Sequence, residues 1–369
     1  MPNFFASLSS LFASLFGGNP FAKKSASVIG IDIGSSAIKV VQLRRAKGQA
    51  VLETYGAIAL GPYAGVELGR AVILPADKIV EALGDVMREA NVTTKICGIG
   101  IPYSSSLVSL IKMPKVPEAQ LAQMVPIEAR KYIPVPIGEV VLDWFVVEQE
   151  SENPQNKIDV LLVAIHKETI NKYQGVTNEL ALTNAFFEIE VFSSVRAVLD
   201  HGIAPIVVFD LGAATTKLYI VERGIVRESH IINKGAQDVT LALSRALNVT
   251  VVKAEEMKRQ HGLSASAPQD IKTSIELTLA PVMSETRRTI SAFEARAGAN
   301  ITTIVMTGGG ATLKGFKEYA QGTLEAEVVL GNPFGKTEAP AFLEGVLKEA
   351  GPEFAVAVGL ALRKLQEQG

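Results

Sequence analysis

Residues 27–43 read SVIGIDIGSSAIKVVQL and residues 206–221 read IVVFDLGAATTKLYIV. Aligned on their aspartates, Asp32 matches Asp210, Gly34 matches Gly212 and Lys39 matches Lys217. Each copy sets an acid, a glycine, small residues and a lysine within apolar, β-rich runs, a pattern that predicts strand, tight turn, strand. The glycine lets backbone N–H groups close on an anion, and Ser35 and Ser36 add hydroxyl donors. An aspartate at a strand end can face a divalent cation directly or through water. The first hairpin alone is equally an ordinary glycine turn with a solvated aspartate. Its repetition argues for a duplicated architecture.

A third glycine-rich turn lies in residues 304–316, IVMTGGGATLKGF. There an apolar strand runs into Gly308, Gly309 and Gly310 and then into a helix-like segment.

The chain has 369 residues, too many for one simple core and suited to two α/β domains. With 48% hydrophobic and 20% charged residues it is expected to be globular with a large core. A net charge of −2 exerts no global pull on nucleic acid. The single cysteine, Cys97, falls in an apolar strand and can form no intrachain disulfide, which fits a reducing compartment. No run of 18 apolar residues predicts a transmembrane helix. The four histidines lack metal-ligand spacing, and no serine sits in a nucleophile elbow.

Residues 1–26 stand apart. Phe4, Phe5, Leu8, Leu11, Phe12, Leu15 and Phe16 recur at helical spacing until Gly17, Gly18 and Pro20 stop the pattern. The basic start and continuous apolar core of a signal peptide are missing. A membrane-surface helix, a partner-docking helix and a loosely ordered tail are all compatible; only Lys23 and Lys24 supply charge for the first.

After the first hairpin, a third strand is expected at 51–60, an amphipathic helix at 77–90 and a strand at 95–101. Residues 104–183 then form an α+β insert in the order β-α-β-β-α. Its strands are at 106–113, 140–148 and 158–166, its helices at 118–132 and 167–182, and a polar hairpin tip lies at 150–156. The chain returns through a strand at 185–190 and a helix at 191–199. A junction at 201–205 leads to the second half. That half carries the duplicate hairpin, a strand at 225–232, and helices at 237–247, 253–261 and 271–297. The third turn, a helix near 314–322, a loop at 334–344 and a final helix at 353–366 follow. The domains expected are a tail (1–26), a first domain (27–103 and 184–204), the insert (104–183) and a second domain (205–369). Residues from about 238 to 300 would form a capping subdomain of that half, and the final helix would pack back toward the first domain.

The three glycine turns, in this order, resemble the actin-like ATPase superfamily, which includes actin, sugar kinases, Hsp70 chaperones and FtsA. The insert narrows the resemblance to FtsA and the PilM proteins of type IV pilus assembly. GIDIGSSAIKVVQL, VFDLGAATTKLYIV and the run IEARKYIPVP at 127–136 look like PilM. The chain ends at Gly369 just after the final helix, whereas FtsA normally continues into a linker and a membrane helix. The resemblance, from about residue 27 onward, implies an α/β, actin-like (ribonuclease H-like duplicated) two-domain ATPase fold with an FtsA-like 1C insert.

It further implies ATP and Mg²⁺ in a cleft between the halves. Asp32 and Asp210 would face the metal; Gly34, Ser35, Ser36, Gly212, Ala213 and Thr215 would line the phosphates. Lys39 would reach either phosphate or solvent, and Lys217 has the weaker claim. Gly308, Gly309 and Gly310 would let the backbone pass adenosine. The segment AEEMK at 254–258 matches the family's A-E-x-x-K helix, placing Glu255 and Lys258 on ribose and base, with a solvated helix face as the alternative. Gly235 would aim the next helix N-terminus at phosphate, although Ala236 replaces the second glycine of the FtsA-like pattern. Glu190 holds the position of a water-orienting acid; whether ATP is turned over is not legible.

The implied function is a cytoplasmic ATP-binding component of the type IV pilus assembly platform, serving pilus biogenesis and twitching motility, peripheral to the inner membrane. Its partner would be the cytoplasmic N-terminal peptide of a PilN-like bitopic membrane protein, bound nucleotide-sensitively in a groove beside the insert near residues 132–137. Other platform and motor proteins and self-association are further expectations; nucleic acid is not. An FtsA-like division or filament protein is the alternative. A sugar-kinase-type phosphotransferase is weaker, because no kinase-style general base is found in the loops.

Overall fold

The computed structural model describes residues 27–147, 157–200 and 202–367. The amphipathic stretch 1–26, the hairpin tip at 150–156 and His201 of the junction lie outside the described residues.

The first half opens with β1 (Val28–Ile33), β2 (Ala37–Ala46) and β3 (Gln49–Ala59), then α1 (Ala76–Glu89) and β4 (Ile96–Ile101). The insert follows as β5 (Ser106–Pro114), α2 (Glu118–Ala129), β6 (Val140–Val147), β7 (Lys157–His166) and α3 (Lys167–Glu179). β8 (Thr183–Ile189) and α4 (Glu190–Val198) close the first half. The second half contains β9 (Ile206–Leu211), β10 (Thr216–Glu222), β11 (Ile225–Ile232), α5 (Ala236–Leu247), α6 (Val251–His261) and α7 (Gln269–Ala297). It ends with β12 (Thr303–Thr307), α8 (Phe316–Leu324), β13 (Glu327–Leu330), α9 (Glu344–Ala350) and α10 (Ala355–Glu367).

The duplication seen in the hairpins extends to whole sheets. One runs β3-β2-β1-β4-β8 and the other β11-β10-β9-β12-β13. In both, three antiparallel strands adjoin two parallel ones. The insert is a separate sheet of order β5-β7-β6.

β1 is buried along its whole length, which is why it reads as an unbroken apolar run rather than an alternating one. α10 covers one face of it. At Gly30 a Cβ would fall 1.9 Å from the Ala357 carbonyl oxygen, and at Gly359 one would fall 1.9 Å from that of Ser193. α10 is therefore wedged between β1 and α4 at backbone contact. α1 buries Ile79, Leu83, Val86 and Met87, the stripe its periodicity predicts.

The second half has its own core, with Phe209, Leu243, Ile275, Met283 and Phe316 at its centre. The insert buries one face internally through Ile111, Leu121, Val125, Val160 and Leu162. Its other face, carrying Val108, Leu161, Val163 and Ile165, joins the first core, which also takes in Tyr219, Val221 and Val226 of the second half. Arg227 of β11 adds a contact to Asp159 of β7 at 3.6 Å. The insert thus leans on both halves.

The structure departs from sequence expectation in three places. α2 stops at Ala129 rather than 132, after an internal Pro126. Ile133, Val135 and Ile137 then pack against the insert's own core. Residues 327–330 form an edge strand, and 344–350 form a helix at the end of the expected loop.

Candidate functional site

The two hairpin turns are built alike. Gly34 N–H donates to the Ala37 carbonyl at 3.1 Å, and Gly212 N–H donates to that of Thr215 at 3.0 Å. Asp32 lies opposite Lys39 in the first hairpin and Asp210 opposite Lys217 in the second. Directly opposed residues share one face of a sheet, so each acid meets its own lysine. Lys39 Nζ is 3.7 Å from Asp32 Oδ2, and Lys217 Nζ is 3.3 Å from Asp210 Oδ2.

Glu190 enters from α4, at the point where β8 ends. It accepts the Tyr103 backbone N–H at 2.7 Å and lies 2.8 Å from the Lys217 ammonium. The structure brings Asp32, Asp210, Lys39 and Glu190 together. It puts Lys217 at the centre, between Glu190 and Asp210, where sequence reasoning gave it the weaker claim.

Three buried carboxylates face two ammonium groups here. Burial, with Glu190 and Asp210 adding to it against the pull of Lys39 and Lys217, pushes Asp32 up to about 6. Burial alone would depress Lys217, but Asp210 and Glu190 outweigh it and hold the ammonium well above its ordinary range. The cluster carries a surplus of negative charge.

Tyr219 follows Lys217 by two positions on β10 and is fully buried. Its hydroxyl has no hydrogen-bond partner among the described residues. Its ring lies 5.7 Å from that of Tyr103, whose own hydroxyl meets Ser229 of β11. Sequence reasoning missed Tyr219; its place two residues beyond Lys217 was the available signal.

Gly235 precedes α5. Its N–H donates to Asp238 Oδ2 at 2.8 Å, Ala236 N–H to the Gly212 carbonyl at 2.9 Å, and Gln237 N–H to that of Ala213 at 3.0 Å. The expected aim of this N-terminus at phosphate is corrected: its leading donors are spent on Asp238 and on the second hairpin turn, which they buttress.

Gly308 has φ of +84°, and a Cβ there would fall 2.3 Å from Asp210 Oδ1. The third turn thus abuts the second acid. Gly310 presses on Leu211, and Gly309 lies near Glu353. Glu255 and Lys258 are buried, not on a solvated face. They pair at 2.7 Å, and both hydrogen-bond Thr240 Oγ1, at 2.6 and 2.9 Å respectively. Arg259 also reaches Glu255 at 2.8 Å. Burial opposes the Glu255 charge, but Lys258 prevails and keeps its carboxyl below the ordinary range.

Among the described residues no cluster of three metal-ligating side chains forms a ready cage. The pair Asp32 and Asp210 suits Mg²⁺ instead, a cation usually held by one or two carboxylates together with waters and phosphate oxygens. The excess negative charge points the same way.

A small cavity of about 20 Å³, room for about one water, lies where the insert meets the first sheet. Asp143, Val163, Phe187, Glu188, Phe192 and Arg363 line it. β6 and β8 flank it, and each is the last strand of its sheet.

The family model described as type IV pilus assembly protein PilM matches residues 30–365. A solved PilM-PilN type IV pilus biogenesis complex is similar at 25% identity with a TM-score of 0.77, covering 92% of this chain and 98% of that one. MreB 5 of Spiroplasma citri, solved bound to AMPPNP, gives a TM-score of 0.52 at 12% identity over 91% of this chain and 95% of that one, a likeness of fold alone. Cell division protein FtsA of Rhizobium meliloti (strain 1021) is 26% identical over 243 residues, 55% of this chain. That alignment spans 52%, about half, of the FtsA chain. The fold is actin-like.

Proposed function

The chain belongs to the family of the type IV pilus assembly protein PilM, and from that membership we propose that it is an ATP-binding assembly protein. The observation that carries the reading is the pair of register-matched Asp–Lys contacts, one from each half, with Glu190 beside them. Asp32 and Asp210 would hold Mg²⁺, which supplies neutralisation of the phosphate charge when bound. Gly34, Ser35, Ser36, Gly212, Ala213 and Thr215 would line the phosphates, and Lys39 and Lys217 would exchange a carboxylate for a phosphate oxygen. Gly308, Gly309, Gly310, Glu255 and Lys258 would border adenosine. Glu190 is the candidate for orienting a water; slow turnover is compatible with it.

The proposed partner is the N-terminal cytoplasmic peptide of a PilN-like membrane protein, which would keep this chain at the inner-membrane surface for pilus assembly. Among the described residues no helix is long and apolar enough to cross a membrane. What supports this placement is that the small cavity is flanked by β6 and β8, each the last strand of its sheet, and an extended peptide can add to such an edge. β8 and α4 serve both places: Phe187 and Phe192 line the cavity, while Glu190 faces the acids. A shift at Glu190 on nucleotide binding would therefore reach the peptide, which makes its binding nucleotide-sensitive.

Calorimetry of Mg·ATP binding, followed by peptide titration with and without ATP, tests the reading. Absent ATP binding by the folded protein would remove it. Likeness to FtsA supports one second reading, an ATP-dependent filament; ATP-induced pelleting without peptide binding would favour that instead.

A further inference from the structure

Residues 61–75 join β3 to α1, and no role was read from their sequence. The segment is anchored at both ends. Tyr63 donates its hydroxyl to Asp85 at 2.7 Å, and Lys172 donates to the Leu74 carbonyl at 2.6 Å. Between these anchors it crosses from one half of the molecule to the other. Val72 N–H donates to the carbonyl of Ser35, in the first hairpin turn, at 2.8 Å. Ala71 N–H donates to Gln237 Oε1 at 3.0 Å, and Gln237 in turn donates its backbone N–H to Ala213 of the second hairpin turn at 3.0 Å. Residues 71 and 72 thus tie the two turns together. Gly69, with φ of +85°, brings the backbone so close to Glu255 that a Cβ would fall 2.8 Å from its carboxylate.

Arg70 stands between these contacts. Its Nε is buried and has no hydrogen-bond partner among the described residues, and no ion pair involves its guanidinium there. Arg70 is only half-buried, but this one N–H is out of water without an acceptor, and leaving a buried donor unmet is costly. The neighbouring hairpin turns are those assigned to phosphate, a ligand that a guanidinium binds through charge-assisted, often bidentate hydrogen bonds.

We propose that residues 69–72 are a strap across the nucleotide cleft, and that Arg70 binds the phosphate groups of the nucleotide held between the two hairpin turns. The inference rests on the nucleotide reading above and adds a third wall to that site. The strap's two backbone bonds, to Ser35 and to Gln237, hold the backbone beside Arg70 against both turns.

The test uses the full chain and measures competition by ATP and by adenosine against a fluorescent ATP analogue. Arg70→Ala is expected to weaken ATP by about tenfold or more while leaving adenosine unchanged. Arg70→Lys, which keeps the charge and loses the fork, is expected to fall between. As a second readout, trypsin cleavage after Arg70 should slow on adding Mg·ATP to the wild type. Wild-type protein that binds ATP, with Arg70→Ala binding equally well, would overturn the strap assignment alone. Equal losses for ATP and adenosine would also overturn it, since the residue would then shape the site without touching phosphate. Wild-type protein that binds neither ligand would remove the nucleotide reading and this inference together.

Discussion

The Glu190 carboxylate accepts the backbone N–H of Tyr103 at 2.7 Å, so an acid of the central cluster is held by the turn that leads from β4 into the insert. On its other side it meets Lys217 at 2.8 Å, and Lys217 meets Asp210. A line of polar contacts therefore runs from the entrance of the insert, through Glu190, to Lys217 and Asp210 of the second half, and Lys217 supplies the counter-charge to both acids.

Lys217→Met should leave Glu190 and Asp210 buried without their shared counter-charge. Unfolding by urea is expected to show a loss of about 3–5 kcal/mol in the nucleotide-free protein. Added Mg²⁺ should recover part of that loss by neutralising the same acids, as thermal melts with and without Mg²⁺ would reveal.

Asp32→Ala and Asp210→Ala should each weaken Mg·ATP by about tenfold or more, on the order expected for loss of a charged contact. Calorimetry with matched circular dichroism checks this. Unchanged affinity in both folded variants would deny these residues the metal.

Gly308→Ala places a methyl group 2.3 Å from Asp210 Oδ1 and 2.6 Å from the Leu211 carbonyl oxygen, at a φ that alanine resists. Nucleotide affinity and thermal stability should both fall. Gly345→Ala, where a Cβ has open space, is the control and should change neither.

Acid stability should depend on Glu188. Burial opposes its charge, but Arg196 and Arg363, at 2.7 and 2.6 Å, and the Ser193 hydroxyl more than offset this and hold its carboxyl at about 2, below the ordinary 4.5. Because the folded value is depressed, the stability it contributes is present above pH 4.5 and is lost as pH falls from there toward 2. Its worth is about 3 kcal/mol. Glu188→Gln should flatten stability across that window, as denaturation midpoints between pH 2 and 6 would show.

A PilN-like N-terminal peptide carrying a photocrosslinker should label single cysteines at Asp143→Cys and Phe192→Cys in a Cys97→Ser background. Leu277→Cys, exposed on α7 of the second half, should remain unlabelled. Labelling at 277 alone would move the partner away from the cavity.

Much of this was legible before any coordinates. Both hairpins, the insert's order and the amphipathic α1 announce themselves by periodicity, because burial on one face imposes it. The rank of Lys217 was not, since alternation along one strand leaves open which face is which. The cross-strand register, Asp210 opposite Lys217, is what turns it inward. β13 has four residues and α9 seven, too short to show a period. Residues 69–72 make their contacts through backbone groups, which a sequence does not display. Gly235 was misread because a helix N-terminus with its donors satisfied looks the same in sequence as one with them free.

The wedging of α10 between β1 and α4 bears on how the protein is made. Ala357 meets Gly30, and Gly359 meets Ser193, so the first sheet lacks one of its covering layers until residues 355–367 have left the ribosome. During synthesis, Val28, Val41 and Leu43 await partners such as Ala357, Val358 and Ala361. An N-terminal domain that could otherwise fold first must wait for residues 355–367. A stalled or shortened nascent chain would present an apolar sheet face, the kind of surface that chaperones hold and that aggregates form on. Completion of the first domain therefore waits on residues 355–367, far downstream of the strands they cover.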